Sequence, residues 1–180
     1  FENKNSKQLQ NKDFAILYRT NAQSRAFEDS LRKRNIPYRV YGGLSFYQRK
    51  EIKDVLAYLR LIINENDEEA FKRVINFPTR GIGQTTINKL VIAANNLNIS
   101  LYNLCKELDK SDVNSSSGIK LKIINFINII ETFKISAKTK NAFDIANEVV
   151  NDTGIIKTYS ALTSIEDQAK IQNIEEMLNG

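Results

Sequence analysis

The sequence predicts a mostly α-helical chain, in which a small, partial α/β part precedes an all-α part. Two short apolar runs with strand character, Asp13–Tyr18 and Tyr38–Tyr41, lie in the first 41 residues with a helical pattern between them. Beyond Asn64 strand signals stop, and apolar residues recur at the three- and four-residue spacing of helices. The polar run Asn64-Glu-Asn-Asp67 separates the two regimes, so a boundary near residues 63–66 divides the chain into 1–63 and 64–180.

Residues 1–12 are polar and rich in Lys, Asn and Gln, the pattern of a loop or frayed end. Asp13-Phe-Ala-Ile-Leu-Tyr18 is nearly all apolar, which suits a strand covered on both faces of a parallel sheet. Asn21 can cap a helix running to about Arg34, with Ala22, Ala26, Phe27, Ser30 and Leu31 on its inner side. Asn35-Ile-Pro37 ends that helix, Tyr38–Tyr41 is the second strand and Gly42-Gly43 the turn, which together make a βαβ-type unit. Lys50–Ile63 is a strong helix pattern presenting Ile52, Val55, Leu56, Leu59 and Ile63 on one face. Further helices are expected over 67–76, 85–96, 100–109, 118–135, 141–151, 153–161 and 164–178, the last opened by the capping-box spacing Thr163-x-x-Glu166. Ser111 to Gly118 is a polar, low-complexity connector and the expected flexible loop.

Composition narrows the functions. Of 180 residues 42% are hydrophobic and 26% charged, as in ordinary globular proteins. The net charge of +5 is lopsided, at +7 over residues 1–63 and −2 over 64–180. Contact with a polyanion is one reading of the basic front third and a solvated basic face is the other. There is no histidine and one cysteine, which excludes a disulfide framework and a Cys/His zinc site and removes the commonest general base. Cys105 lies among Leu101, Leu104 and Leu108, a pattern for buried packing. No apolar run reaches the ~18 residues of a membrane span. With no signal-peptide pattern and no initiator Met, the chain is expected to be soluble, cytoplasmic and a fragment of a longer protein.

Three stretches could carry chemistry. Tyr18 and Arg19 follow the first strand, where open α/β sheets bind ligands; an aromatic and a guanidinium there could take a base and a phosphate. Alternatively Tyr18 is core, Arg19 snorkels and Asn21 only caps. In Phe46-Tyr-Gln-Arg-Lys-Glu-Ile-Lys-Asp54 aromatic and basic residues alternate, as in single-strand contacts, yet the same aromatics could staple the helix to its own core. Finally, Arg80-Gly-Ile-Gly83 is a tight turn with two residues free to take φ > 0, followed by Thr85 or Thr86 as a helix cap. Ile87, Leu90, Val91 and Ala94 would form the buried side of that helix. Such a turn aims N–H groups at one spot and suits a phosphate, while Ile82 plugs the core. Ala70 through Lys106 contains no Asp or Glu, against the basic Lys72, Arg73, Arg80, Lys89 and Lys106. No G-x-x-x-x-G-K-[ST] is present, so this chain alone is not expected to hydrolyse nucleotide.

Four blocks, Ala15–Arg25, Ile36–Gly43, Phe46–Asp54 and Val74–Gly83, resemble in order and spacing the UvrD/Rep/PcrA-type superfamily 1 DNA helicases. The similarity is dense over about residues 13–91 and looser to Glu175. It implies a piece of an ATP-dependent motor that unwinds DNA in the 3′ to 5′ direction in repair and replication. Such motors have RecA-like domains 1A and 2A with helical insertions 1B and 2B; this chain would hold the start of 2A (about 13–63) and most of 2B (about 64–180). By matching position, Tyr18 would stack on adenine and Arg19 would reach the γ-phosphate as the catalytic residue, with Gln23 and Arg25 supporting. Arg80, Gly81, Ile82 and Gly83 match the duplex-contacting turn, with Thr85, Thr86 and Lys89 on the helix behind it. Tyr47–Asp54 matches a family motif, whereas Ser45 departs from the basic residue frequent there. The resemblance further implies ATP and Mg²⁺ as cofactors of the full-length enzyme, with none held by the fragment. The implied partners are DNA, the remaining helicase chain and repair or transcription proteins. Readings of other classes are a stand-alone basic DNA-binding module and a helical protein-interaction domain.

Overall fold

The computed structural model describes residues 9–19, 23–41, 43–108, 116–161 and 164–179. Among them nine helices form: α1 (Ser24–Lys33), α2 (Lys50–Ile63), α3 (Glu68–Val74), α4 (Gln84–Leu97), α5 (Leu101–Lys106), α6 (Ser117–Ser136), α7 (Ala142–Asp152), α8 (Ile155–Ser160) and α9 (Ile165–Asn179). Short 3-10 turns occupy Asn11–Asp13 and Phe46–Gln48. The mostly α expectation therefore holds, and the helices of the rear part start and stop within a few residues of their expected bounds.

Local chemistry explains several of those bounds. Asp67 caps α3 by accepting from the Ala70 N–H at 2.9 Å, Ser100 caps α5 through Asn103 at 3.2 Å, and Asn141 caps α7 through Asp144 at 2.9 Å. Asn98, at φ +53°, turns the chain out of α4. The expected caps Asn21 and Thr163 lie outside the described residues, as do Ala22, Gly42 and most of the Ser111–Gly118 connector.

Helix α2 is the axis of the molecule and packs against α3, α6, α7 and α9. With neighbours on several sides it buries more than one stripe: Ile52, Val55, Ala57, Tyr58, Leu61 and Ile62 are inside, while Ile63, expected inward, is 87% exposed. One apolar cluster runs from Val55 of α2 to Ile174 of α9, so the helix expected to end the front part shares its core with the rear part. At its centre Phe71 meets Tyr102 and Phe126 edge-on, with ring centroids 6.1 and 5.5 Å apart. Cys105 is buried as expected, and burial pushes its thiol up to about 12.

The front part differs from its expectation in two ways. Asp13–Tyr18 and Tyr38–Tyr41 are not strands, and no strand forms among the described residues. A strand is held by its ladder, and without one the apolar side chains Phe14, Ile16 and Leu17 stay exposed. Helix α1 also buries the opposite side from the one expected. Ser24, Arg25 and Glu28 are inside, while Ala26, Phe27 and Ser30 are exposed. Hydrogen bonding is the reason: Glu28 accepts from the Phe46 N–H at 3.0 Å, from the Tyr38 hydroxyl at 3.0 Å and from the Ser45 hydroxyl, so its carboxylate is satisfied inside. Burial pushes the Glu28 carboxyl up, but these donors outweigh it and hold it below its ordinary value.

Candidate nucleic-acid interface

The turn after α3 is built from the inside outwards. Asn76 Oδ1 accepts from the N–H groups of Arg80 (2.9 Å) and Ile82 (3.0 Å), folding the chain back on itself. Ile82 is fully buried, the plug its place between two glycines predicts. Gly81 sits at φ +72°, where a side chain would be strained. Gly83 does not use that freedom; at φ −75° and ψ 162° it is extended and is the N-cap of α4. Thr85 and Thr86 thus lie in the first helical turn rather than capping it, and the Thr86 N–H donates to Gly83 O at 3.0 Å. Ile87, Leu90 and Ala94 are buried as expected, with Val91 packed against the core.

Arg80 points inward. Its Nη1 donates to the carbonyls of Val74 (2.9 Å), Pro78 (3.2 Å) and Ile75 (3.3 Å), and its Nη2 to the Tyr58 hydroxyl (2.7 Å). The guanidinium also lies 5.1 Å from the centre of the Phe126 ring of α6. Burial raises the Tyr58 hydroxyl above its ordinary value, with Arg80 opposing that rise, so the phenol keeps its proton and donates a hydrogen bond to the Phe77 carbonyl. What faces outward at the turn is Gly81, Gly83, Gln84, Thr85 and Lys89, all exposed.

Lys122 is a neighbour the sequence did not point out. A Cβ placed on Gly81 would meet Lys122 Nζ at 2.7 Å, so the ammonium lies over the turn. The only sequence signal would have been a second acid-free stretch, 116–130, which the fold brings to the first.

At the other end, Tyr18 is half-buried and its ring stacks at 6.4 Å on Phe27 of α1. The Arg19 N–H donates to Gln23 Oε1 at 3.0 Å, while the residue itself is exposed. An aromatic face and an exposed guanidinium fit a base and a phosphate, so these residues could form one wall of a nucleotide site. Among the described residues no group of three or more carboxylate, His or Cys side chains could hold a metal ion.

Arg25 is buried against the Phe46 ring. It lies 5.0 Å from the Phe46 ring centre, pairs with Asp29 at 3.5 Å and reaches the Met177 carbonyl of α9 at 3.4 Å. Arg49 lies 5.1 Å from the same ring and donates to Asn173 Oδ1 (2.6 Å) and Ser24 Oγ (3.0 Å). Asn173 in turn donates to Glu51 Oε1 at 2.6 Å. Phe46 is fully buried and Tyr47 has Arg32 against its ring at 4.6 Å, so the block Phe46–Asp54 staples the fold together rather than offering rings to bases. No helix among the described residues is long and apolar enough to cross a membrane.

Comparison with known proteins agrees with the four blocks. The profile of the UvrD-like helicase C-terminal domain matches residues 2–179. The chain is similar to an ATP-dependent DNA helicase PcrA of Staphylococcus aureus, 36% identical over 176 residues that cover 98% of this chain and 24% of the relative. It is also similar to an ATP-dependent DNA helicase PcrA of Staphylococcus epidermidis, 38% identical over 167 residues, or 93% of this chain and 23% of the relative. The chain thus spans about a quarter of the length of these relatives. This match along nearly all of its length shows that the chain belongs to the UvrD-like helicase C-terminal domain family.

Proposed function

We propose that this chain is part of an ATP-dependent 3′ to 5′ DNA helicase and supplies contacts to duplex DNA and to ATP held from the opposite side of a cleft. The observation that carries the reading is the turn at Gly81–Gly83. Its outer face is exposed and bare of acids, while Ile82 and Arg80 pin it rigidly from inside. A rigid backbone turn with basic surroundings suits phosphate groups without reading base sequence.

In this reading residues 1–63 belong to a RecA-like domain and 64–180 to a helical insertion. Tyr18 stacks on adenine and Arg19 contacts the γ-phosphate. ATP supplies the free energy for unwinding, Mg²⁺ is held by residues elsewhere in the helicase, and the chain works in the cytoplasm. Gly81, Gly83, Thr85, Thr86 and Lys89 form the duplex-facing turn and helix start, with Ile82 and Arg80 holding the turn from inside.

The test uses the full-length protein. Arg19→Ala is expected to abolish DNA-stimulated ATP hydrolysis while DNA affinity stays close to wild type. Wild-type turnover in that variant would remove Arg19 from the nucleotide site.

A further inference from the structure

We infer that Lys122 of α6 is a phosphate contact of the Gly81–Gly83 turn, supplying the positive charge that Arg80 does not present. The inference rests on the reading of that turn as a duplex grip and adds the residue that would bind there. Arg80 Nη1 and Nη2 are committed to three carbonyls and a hydroxyl, so its guanidinium stands beneath the turn. Lys122 is exposed, and its Nζ lies where a Cβ on Gly81 would be 2.7 Å away, which places it over the turn.

The placement of Lys122 follows from the packing of α6. Phe126, fully buried, is one helical turn further along on the same face and meets the Arg80 guanidinium at 5.1 Å. The ring that supports Arg80 therefore sets the register that carries Lys122 to Gly81. Lys122 has no ion-pair partner among the described residues, unlike Lys134, which pairs with Glu65 and Glu131 further down the same helix. No Asp or Glu occurs in 70–106 or 116–130, so the two stretches that meet at Gly81 carry no compensating charge, and Lys89 and Lys120 add to the same field. A compact ammonium on a flexible stem suits the phosphate backbone, which needs charge rather than a fixed fork.

The experiment measures binding of the full-length protein to a tailed DNA duplex by fluorescence anisotropy across a salt series, with melting temperature as a control on folding. Lys122→Gln is expected to weaken binding by about three- to tenfold and to lower the slope of log affinity against log salt by about 0.9, one phosphate contact. Lys122→Arg is expected to restore both, and neither variant should change the melting temperature. Gly83→Glu tests the turn separately, because Gly83 is exposed and has open space around its Cβ direction. If Gly83→Glu weakens binding and Lys122→Gln does not, the turn remains a grip and Lys122 is a bystander. If neither changes affinity or salt slope, the turn is not a DNA contact and the inference falls with it. A loss of affinity that comes with a lower melting temperature and is not restored by Lys122→Arg would make Lys122 a packing residue.

Discussion

Arg80 and Ile82 are two residues apart, and the sequence treats them very differently. A β-branched apolar residue between two glycines has one stable place, the core, and Ile82 takes it. An arginine in the same turn can face either way. Its direction depends on acceptors that exist only once α3 has ended and left the Val74 and Ile75 carbonyls without helical partners. Arg80→Ala should therefore destabilise the fold by about 2–3 kcal/mol, the scale of lost charge-assisted hydrogen bonds to partly buried acceptors. Arg80→Lys should recover little of that, because an ammonium cannot reproduce the planar set of donors. Urea denaturation of both variants checks this; wild-type stability in Arg80→Ala would mean that the inward bonds contribute nothing.

Among the elements, α1 carries the clearest difference between pattern and packing. The apolar spacing of Ala26, Phe27 and Leu31 is a real amphipathic signal, but α1 buries Ser24, Arg25 and Glu28. Those polar groups are accepted inside because Phe46, Tyr38, Ser45, Arg49 and Met177 provide partners from distant positions. No spacing rule along one helix reports such partners. The same network ties α9 to the start of α2: Asn173 accepts from Arg49 and donates to Glu51. Asn173→Ala should cost about 1–3 kcal/mol, the desolvation penalty of groups left short of a partner. Amide hydrogen exchange should show α9 losing protection before α2 does. Equal protection of α9 in wild type and variant would show that the joint is held by apolar contacts alone.

For the molecule as a whole, α6 gathers charged as well as apolar contacts. Glu131 accepts from the Tyr102 hydroxyl at 2.7 Å and from Lys106 and Lys134 at 3.2 Å, and Lys134 also reaches Glu65 at 2.5 Å in the α2–α3 connection. The Tyr102 hydroxyl bond, with help from Lys134 and Lys106, holds the Glu131 carboxyl at about 2, down from its ordinary 4.5. A depressed carboxyl stabilises the fold above its unfolded value, and that contribution fades as pH falls from about 4.5 towards 2. Glu131→Gln should flatten this part of the acid-stability curve while lowering stability near neutral pH. Thermal melts across that range test it, and an unchanged acid slope in the variant would assign the acid sensitivity to other carboxylates.

The sequence by itself determined the helical rear part, the burial of Ile82 and Cys105, the sharp turn at Gly81 and the family to which the chain belongs. These depend on local periodicity, on the size and polarity of single side chains and on motif order, all of which are written along the chain. Tertiary structure alone decided that α1 buries its polar side, that Arg80 faces inward and that Lys122 from α6 lies over Gly81. It also left Asp13–Tyr18 and Tyr38–Tyr41 without a ladder, so two runs with strand chemistry are not strands here. The physical reason is that each depends on groups only the fold assembles. The polar side of α1 and the Arg80 guanidinium take their direction from acceptors and donors the folded chain brings to them, Lys122 is carried to Gly81 by the packing of α6, and a strand exists only beside another strand.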